Sequence, residues 1–133
     1  MIVVDASVAA LLFADPATEP RVKAARAALS RDPAWLAPEH WKTEVLSTLR
    51  GLWLGGRITA EQARYAVESI PRIGVRVVPT DALLSRMWEL RANVSGYDAA
   101  YVAAAEAHGC ALVTADARLG RAKAARCQID VVR

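Results

Sequence analysis

Four carboxylates stand where a small α/β protein could gather them into one site: Asp5, Glu44, Asp98 and Asp116. Asp5 closes the apolar run Ile2-Val3-Val4, and Glu44 lies in the helix-like stretch from Pro38 to Leu54. Asp98 opens the run Tyr97-Asp98-Ala99-Ala100-Tyr101, and Asp116 follows Ala111-Leu112-Val113-Thr114-Ala115. Negative groups brought together repel, so a fold that gathers them needs a compensating cation. Hard divalent ions such as Mg²⁺ or Mn²⁺ suit all-oxygen ligands and retain water for chemistry. Two such ions ~4 Å apart can activate a water and stabilise the leaving oxygen of a phosphodiester. The short hydroxyls of Ser7 and Thr114, near Asp5 and Asp116, could bond a carboxylate or a water.

Other chemistries find less in the chain. His40 and His108 are the only histidines, and no Ser-His-Asp arrangement suggests itself. There is no phosphate-binding G-x-G-x-x-G or P-loop. Cys110 and Cys127 form no C-x-x-C and no Cys/His cluster, so a zinc site is not expected. Cys110 reads as a small buried hydrophobe, and a disulfide is not expected in a reducing compartment.

Each acid also has a plainer role. Asp5 and Asp116 could cap the helices that follow them, and Asp98 could be an acid favoured by a helix dipole. Glu44 could be a solvated partner of Lys42 or Arg50. Asp15 and Asp32 precede prolines and read as turn residues. Asp81 is a candidate for the rim of the site, and Glu106 reads as exposed near a helix end. The case for a site rests on four acids in their local contexts.

The elements that must position them follow from periodicity. Ile2–Val4, Trp35–Ala37, Val75–Val78, Ala111–Val113 and Ile129–Val132 read as short strands. Helical spacing covers Ala6–Phe13, Pro20–Leu29, Pro38–Leu54, Thr59 to Pro71, Thr80–Ala92, Tyr97–His108 and Ala117–Ala125. Pro38 suits a first helical turn, Thr59 with Gln62 makes a capping box, Thr80 reads as a cap, and Gly55-Gly56 and Gly109 end helices. Strands separated by helices predict a three-layer α/β/α fold with a parallel sheet of about four or five strands. Ligands of such sheets sit beyond the carboxyl ends of the strands, where Asp5 and Asp116 fall. The position of Asp98, on a helix that precedes a strand, stays open.

With 133 residues, 54% hydrophobic, the chain is long enough for one domain with a real core, and residues 1–133 read as that single domain. No apolar run approaches the ~18 residues of a membrane span. The start Met1-Ile2-Val3-Val4-Asp5 lacks a signal peptide's basic region, so a cytoplasmic protein is expected. A net charge of +3 permits a nucleic-acid partner without demanding one. Arg118, Arg121, Lys123, Arg126 and Arg133 make a basic C-terminal segment beside an acid, suited to holding phosphates.

At these residues the chain resembles the PIN-domain family and, within it, the VapC-type toxins of bacterial toxin–antitoxin pairs. The matching pieces are Val3-Val4-Asp5-Ala6-Ser7, Glu44-Val45-Leu46, the run from Tyr97 to Ala105, and the run from Leu112 to Leu119. Their order and spacing match across essentially the whole chain. The resemblance implies a Mg²⁺- or Mn²⁺-dependent endoribonuclease with Asp5, Glu44, Asp98 and Asp116 as its catalytic and metal-holding acids. It implies supporting roles for Ser7 and Thr114, a likeness to dimeric proteins, and inhibition by a small cognate antitoxin. Arg118 and Arg121 are then candidate RNA contacts.

The stretch from Pro38 to Leu54 carries more large apolar side chains than one core stripe requires. Trp41, Leu49 and Trp53 are candidates for an antitoxin groove; a small domain could equally bury them. Two further readings compete with the nuclease. A non-catalytic RNA- or partner-binding module gains nothing from clustered acids. A phosphoryl-transfer domain with Asp5 as nucleophile would need a lysine near the later acids, for which Lys123 is a poor fit.

Overall fold

In the computed structural model, which describes residues 1–133, five parallel strands form one sheet in the order β3-β2-β1-β4-β5. They are β1 (Ile2–Val4), β2 (Trp35–Pro38), β3 (Val75–Val78), β4 (Ala111–Thr114) and β5 (Ile129–Val131). Ile2 is in register with Trp35 on one side and Ala111 on the other, so β1 is central. Consecutive residues of a strand point to opposite faces. Val3 and Val4, and Leu112 and Val113, are all buried, so both faces are covered. Continuous apolar strands of this kind are the sequence mark of a parallel sheet.

The helices are α1 (Ala6–Ala10), α2 (Arg21–Leu29), α3 (Trp41–Leu54), α4 (Ala60–Ser69), α5 (Leu84–Glu89) and α6 (Gly96–His108). The alanine-rich α6 packs against β2, β1 and β4 as well as α5, while α3 packs on α1 and α4. Small side chains let α6 lie close on the sheet, and Ala99 through Ala105 are all buried. Gly109, with φ 58°, closes α6 in the left-handed conformation that glycine enters without steric cost. The capping box at α4 forms as expected: Thr59 Oγ1 accepts from Gln62 N at 3.0 Å, and Thr59 N donates to Gln62 Oε1 at 2.8 Å.

Several expected boundaries differ. Pro38 does not open the long helix; it ends β2 in register with Val78. The pairing of β1 with β2 stops at Leu36, so the proline occupies a strand end, where its missing N–H is tolerated. Thr80 does not cap a long helix: its side chain makes no cap bond, Leu83 stands at the cap of α5, and Thr80 N donates to Glu39 Oε2 at 2.7 Å. A 3-10 turn over Thr80–Ala82 follows, and α5 is short. The helix expected over Ala117–Ala125 is a single 3-10 turn, Leu119–Arg121. Backbone groups there serve tertiary partners instead. Ala124 O accepts from Arg86 Nη2 at 2.8 Å, and Arg126 N donates to Glu106 Oε1 at 2.7 Å. Gly120 is needed in that turn, because a Cβ would stand 2.3 Å from Val131 Cγ2. Glu106 is accordingly half-buried between Arg86 and Arg126 rather than exposed.

Candidate active site

The sheet order places β1 beside β4, where the winding of the fold changes direction. In doubly wound sheets such a switch point opens a crevice at the carboxyl ends of the strands. Asp5 leaves β1 at that point and Thr114 ends β4 there. Asp5 is only 4% exposed. Its Oδ2 accepts from Thr114 Oγ1 at 2.5 Å and from Ser7 Oγ at 2.7 Å. Each hydroxyl in turn accepts a backbone N–H of the next turn: Ala115 N to Ser7 Oγ and Asp116 N to Thr114 Oγ1, both 3.0 Å. A hydroxyl has one proton to give. With both protons aimed at Asp5, the 3.3 Å approach of Ser7 Oγ to Thr114 Oγ1 is a contact rather than a third bond. The loop after β4 is thereby tied to the loop after β1.

Glu44 reaches the same place from α3. Its Oε2 accepts from Tyr101 Oη at 3.2 Å, and His40 Nε2 stands 3.1 Å from its Oε1. That nitrogen is buried and out of line for a hydrogen bond, so it has no partner. Burial, reinforced by the charge of Asp5, pushes the Glu44 carboxyl up to about 7, against the pull of Tyr101. Burial also holds the His40 imidazole below its ordinary value, partly offset by Asp5.

Asp98 lies in the first turn of α6, whose cap Ser95 accepts from Asp98 N at 3.2 Å. Because α6 runs back toward the start of β4, its first turn lies at the carboxyl edge of the sheet. Burial raises the Asp98 carboxyl, and the charges of Asp5 and Asp116 raise it further. Asp116 is opposed by its own neighbour. Burial pushes it up, but Arg118 outweighs this through its N–H at 2.8 Å and its Nη2 at 3.2 Å, leaving the carboxyl below its usual range. The four acids therefore feel one another electrostatically, with Asp5 acting on both Glu44 and Asp98.

The chain matches the PIN domain family over residues 2–125. Ribonuclease VapC9 of Mycobacterium tuberculosis is 43% identical over 133 residues, 99% of this chain and 98% of its own. This chain belongs to the PIN-domain family, among the VapC ribonucleases. Ribonuclease VapC1 of the same organism is 41% identical over 98 residues, 73% of this chain and 74% of its own. Among solved structures, the VapC20 toxin of Mycobacterium tuberculosis, described as cleaving the sarcin-ricin loop, superposes with TM-score 0.67 at 23% identity. That match covers 92% of this chain and 95% of the other. FitAcB of Neisseria gonorrhoeae superposes with TM-score 0.64 at 18% identity, covering 98% and 96%. At these identities the structures establish the shared PIN fold.

The donor chemistry of the PIN crevice suits a hard divalent cation: oxygen ligands, excess negative charge, and the carboxyls of Glu44 and Asp98 raised by burial and by Asp5. No three Asp, Glu, His or Cys side chains converge closely enough to share one ion. Such geometry fits an ion held through one or two carboxylates that keeps several waters, as Mg²⁺ prefers.

Tyr101 and His40 were not singled out by the sequence as site residues. Tyr101 follows Asp98 by three positions on α6, so a helical-face count from Asp98 would have found it. His40 sits four residues before Glu44, and the same count applies. Asp81 is exposed in its 3-10 turn, outside the group of acids that perturb one another. Arg118 and Arg121 are both exposed, and Arg118 lies against Asp116 at the crevice. Of the groove candidates, Trp41 and Leu49 are 2% and 1% exposed and pack into the core, with Trp41 also at the edge of a cavity beside Pro38 and Val77. They lie eight positions apart with Val45 between them, the inward stripe of α3. Trp53 is 48% exposed and lies off that stripe, as do the exposed Leu46 and Leu54. No helix is long and apolar enough to cross a membrane.

Proposed function

We propose that this protein is a metal-dependent endoribonuclease that acts as the toxin of a toxin–antitoxin pair, with residues 1–133 as one catalytic unit working in the cytoplasm. The observation that carries this reading is that Asp5, at the switch point of a PIN fold, acts with burial to raise the carboxyls of both Glu44 and Asp98, while Asp116 in turn acts on Asp98. The names of the curated relatives, all ribonucleases, support the substrate class.

In this reading Asp5, Glu44, Asp98 and Asp116 hold Mg²⁺ or Mn²⁺. A divalent cation there supplies an activated water and neutralises charge gathering on the phosphate. The chain's own groups do the rest. Ser7 and Thr114 fix the Asp5 carboxylate: their hydroxyls hold Oδ2, and Ser7 N donates to Oδ1 at 3.5 Å, where Asp5 caps α1. Tyr101 orients Glu44, fixing the carboxyl that would face the ion. Water adds to phosphorus, the P–O ester bond breaks, and the released hydroxyl takes a proton. Arg118 and Arg121 offer cationic contacts to the RNA backbone.

The antitoxin would cover the apolar face that α3 and α4 leave open, where Leu46, Trp53, Leu54 and Tyr65 are exposed. The reading includes a homodimer, for which exposed Leu84 and Trp88 of α5 leave a second apolar surface. The test is metal dependence on a defined RNA with antitoxin-free protein: cuts with Mg²⁺ or Mn²⁺ that EDTA abolishes support it. RNA retained intact, with no effect of metal, supports a non-catalytic binding module instead.

A further inference from the structure

A cavity of about 540 Å³ lies away from the acids. It opens at the amino edge of the sheet between the end of α6 and the leads into β4 and β5. Both cysteines of the chain line it, together with Ala105, Glu106, Gly109 and Arg126. Both are free and half-buried. Leu112 pairs with Ile129, the first pair of the β4–β5 ladder, with Leu112 N donating to Gln128 O at 2.9 Å. Carried two residues further back, past the start of both strands, that register sets Cys110 beside Cys127, and both line the same cavity. Neighbouring strands run about 4.8 Å apart, inside the Cα separation of about 4.4–6.8 Å that a disulfide requires.

We propose that Cys110 and Cys127 are a reversible redox-modification site, closing to an intrachain disulfide when the protein meets a low-molecular-weight disulfide oxidant. One cysteine, as thiolate, attacks a sulfur of the oxidant, breaking its S–S bond and releasing one small thiol. The second cysteine, as thiolate, then attacks the protein-side sulfur of the mixed disulfide and releases the second small thiol. The two protein thiols lose two electrons, the oxidant gains them, and the two protons end on the released thiols. Burial raises both thiols above their ordinary value, and the charge of Glu106 adds to this at Cys127. The smaller thiolate fraction makes both exchange steps slow. The closed loop runs from 110 to 127 and contains Asp116, Arg118 and Arg121, so oxidation restrains the segment that lies between the cavity and the acids.

The full chain, first reduced, is incubated with glutathione disulfide and analysed without reductant. The expected product is a monomeric chain on a denaturing gel, lighter by two hydrogens, with no thiol open to alkylation. A cross-linked peptide pair should contain Cys110 and Cys127. Its melting temperature should rise, and dithiothreitol should reverse every change. Cys127→Ser should instead carry one glutathione per chain and show no such rise. Two glutathiones per wild-type chain, chain-to-chain disulfides, or thiols that stay free would each overturn the proposal.

Discussion

Thr114 Oγ1 lies 2.5 Å from Asp5 Oδ2, although the two residues are 109 positions apart. Thr114 ends β4 and Asp5 follows β1, so one bond ties together the two strand ends that make the crevice. The same hydroxyl oxygen accepts from Asp116 N, which couples the placement of a second acid to the first.

Thr114→Val keeps the shape and removes the hydroxyl. It leaves Asp5 Oδ2 short of one donor and Asp116 N without its acceptor. Chemical denaturation should show a loss of about 1–3 kcal/mol, the cost of unsatisfied buried polar groups. RNA cleavage should fall as well, because Asp5 and Asp116 lose a shared anchor. Ser7→Ala should act in the same direction, and the double variant should be less than additive.

Glu44 makes stability depend on pH in a stated direction. Its carboxyl is raised from 4.5 to about 7 on folding. Between those values the folded state binds a proton that the unfolded state has released, so this contribution is full below 4.5 and lost as pH rises through 7. Metal-free protein should therefore lose stability across that window, and Glu44→Gln should flatten the loss. A divalent cation that binds Glu44 ionised should release a proton at pH 6. Calorimetry in two buffers of different ionisation enthalpy reads that release directly.

Arg118 both restrains Asp116 and faces solvent. Arg118→Ala should let the Asp116 carboxyl rise, visible by NMR titration. RNA binding should weaken, with the salt dependence of binding shallower by about one unit of slope. A loss of folding stability as large as that of a core substitution would contradict this surface role.

The two tryptophans of α3 should separate stability from partner binding. Trp41→Ala removes a buried core side chain and should cost about 3–5 kcal/mol in denaturant unfolding. Trp53→Ala should leave unfolding nearly unchanged and weaken binding of the cognate antitoxin. If Trp53→Ala unfolds the protein, its place in a docking face is lost.

Much of this was legible in the chain. The buried strands announce themselves as short apolar runs, and Thr59 with Gln62 marks a helix start through a local exchange of hydrogen bonds. Asp5 and Asp116 could be assigned to the carboxyl edge because each directly follows a strand. The helix expected after Asp116 failed for a reason that lies outside its own sequence. Arg86 and Glu106, distant in the chain, bind Ala124 O and Arg126 N at its far end. Trp41 and Trp53 look alike in sequence, and only the tertiary packing of α3 decides that the first is buried and the second exposed. Tyr101 and His40 entered the site through helical geometry around Asp98 and Glu44, a relation that motif spacing alone does not display.

The most direct test of the account is cleavage of total cellular RNA by purified, antitoxin-free protein with Mg²⁺ or Mn²⁺, with the new ends mapped. Asp98→Asn, checked for its fold by circular dichroism, and EDTA serve as controls. The account predicts discrete cuts that EDTA abolishes and that Asp98→Asn reduces by at least about 100-fold, the scale for losing one charge-stabilising group. Cuts of equal strength from the folded Asp98→Asn variant, or in EDTA, would contradict it.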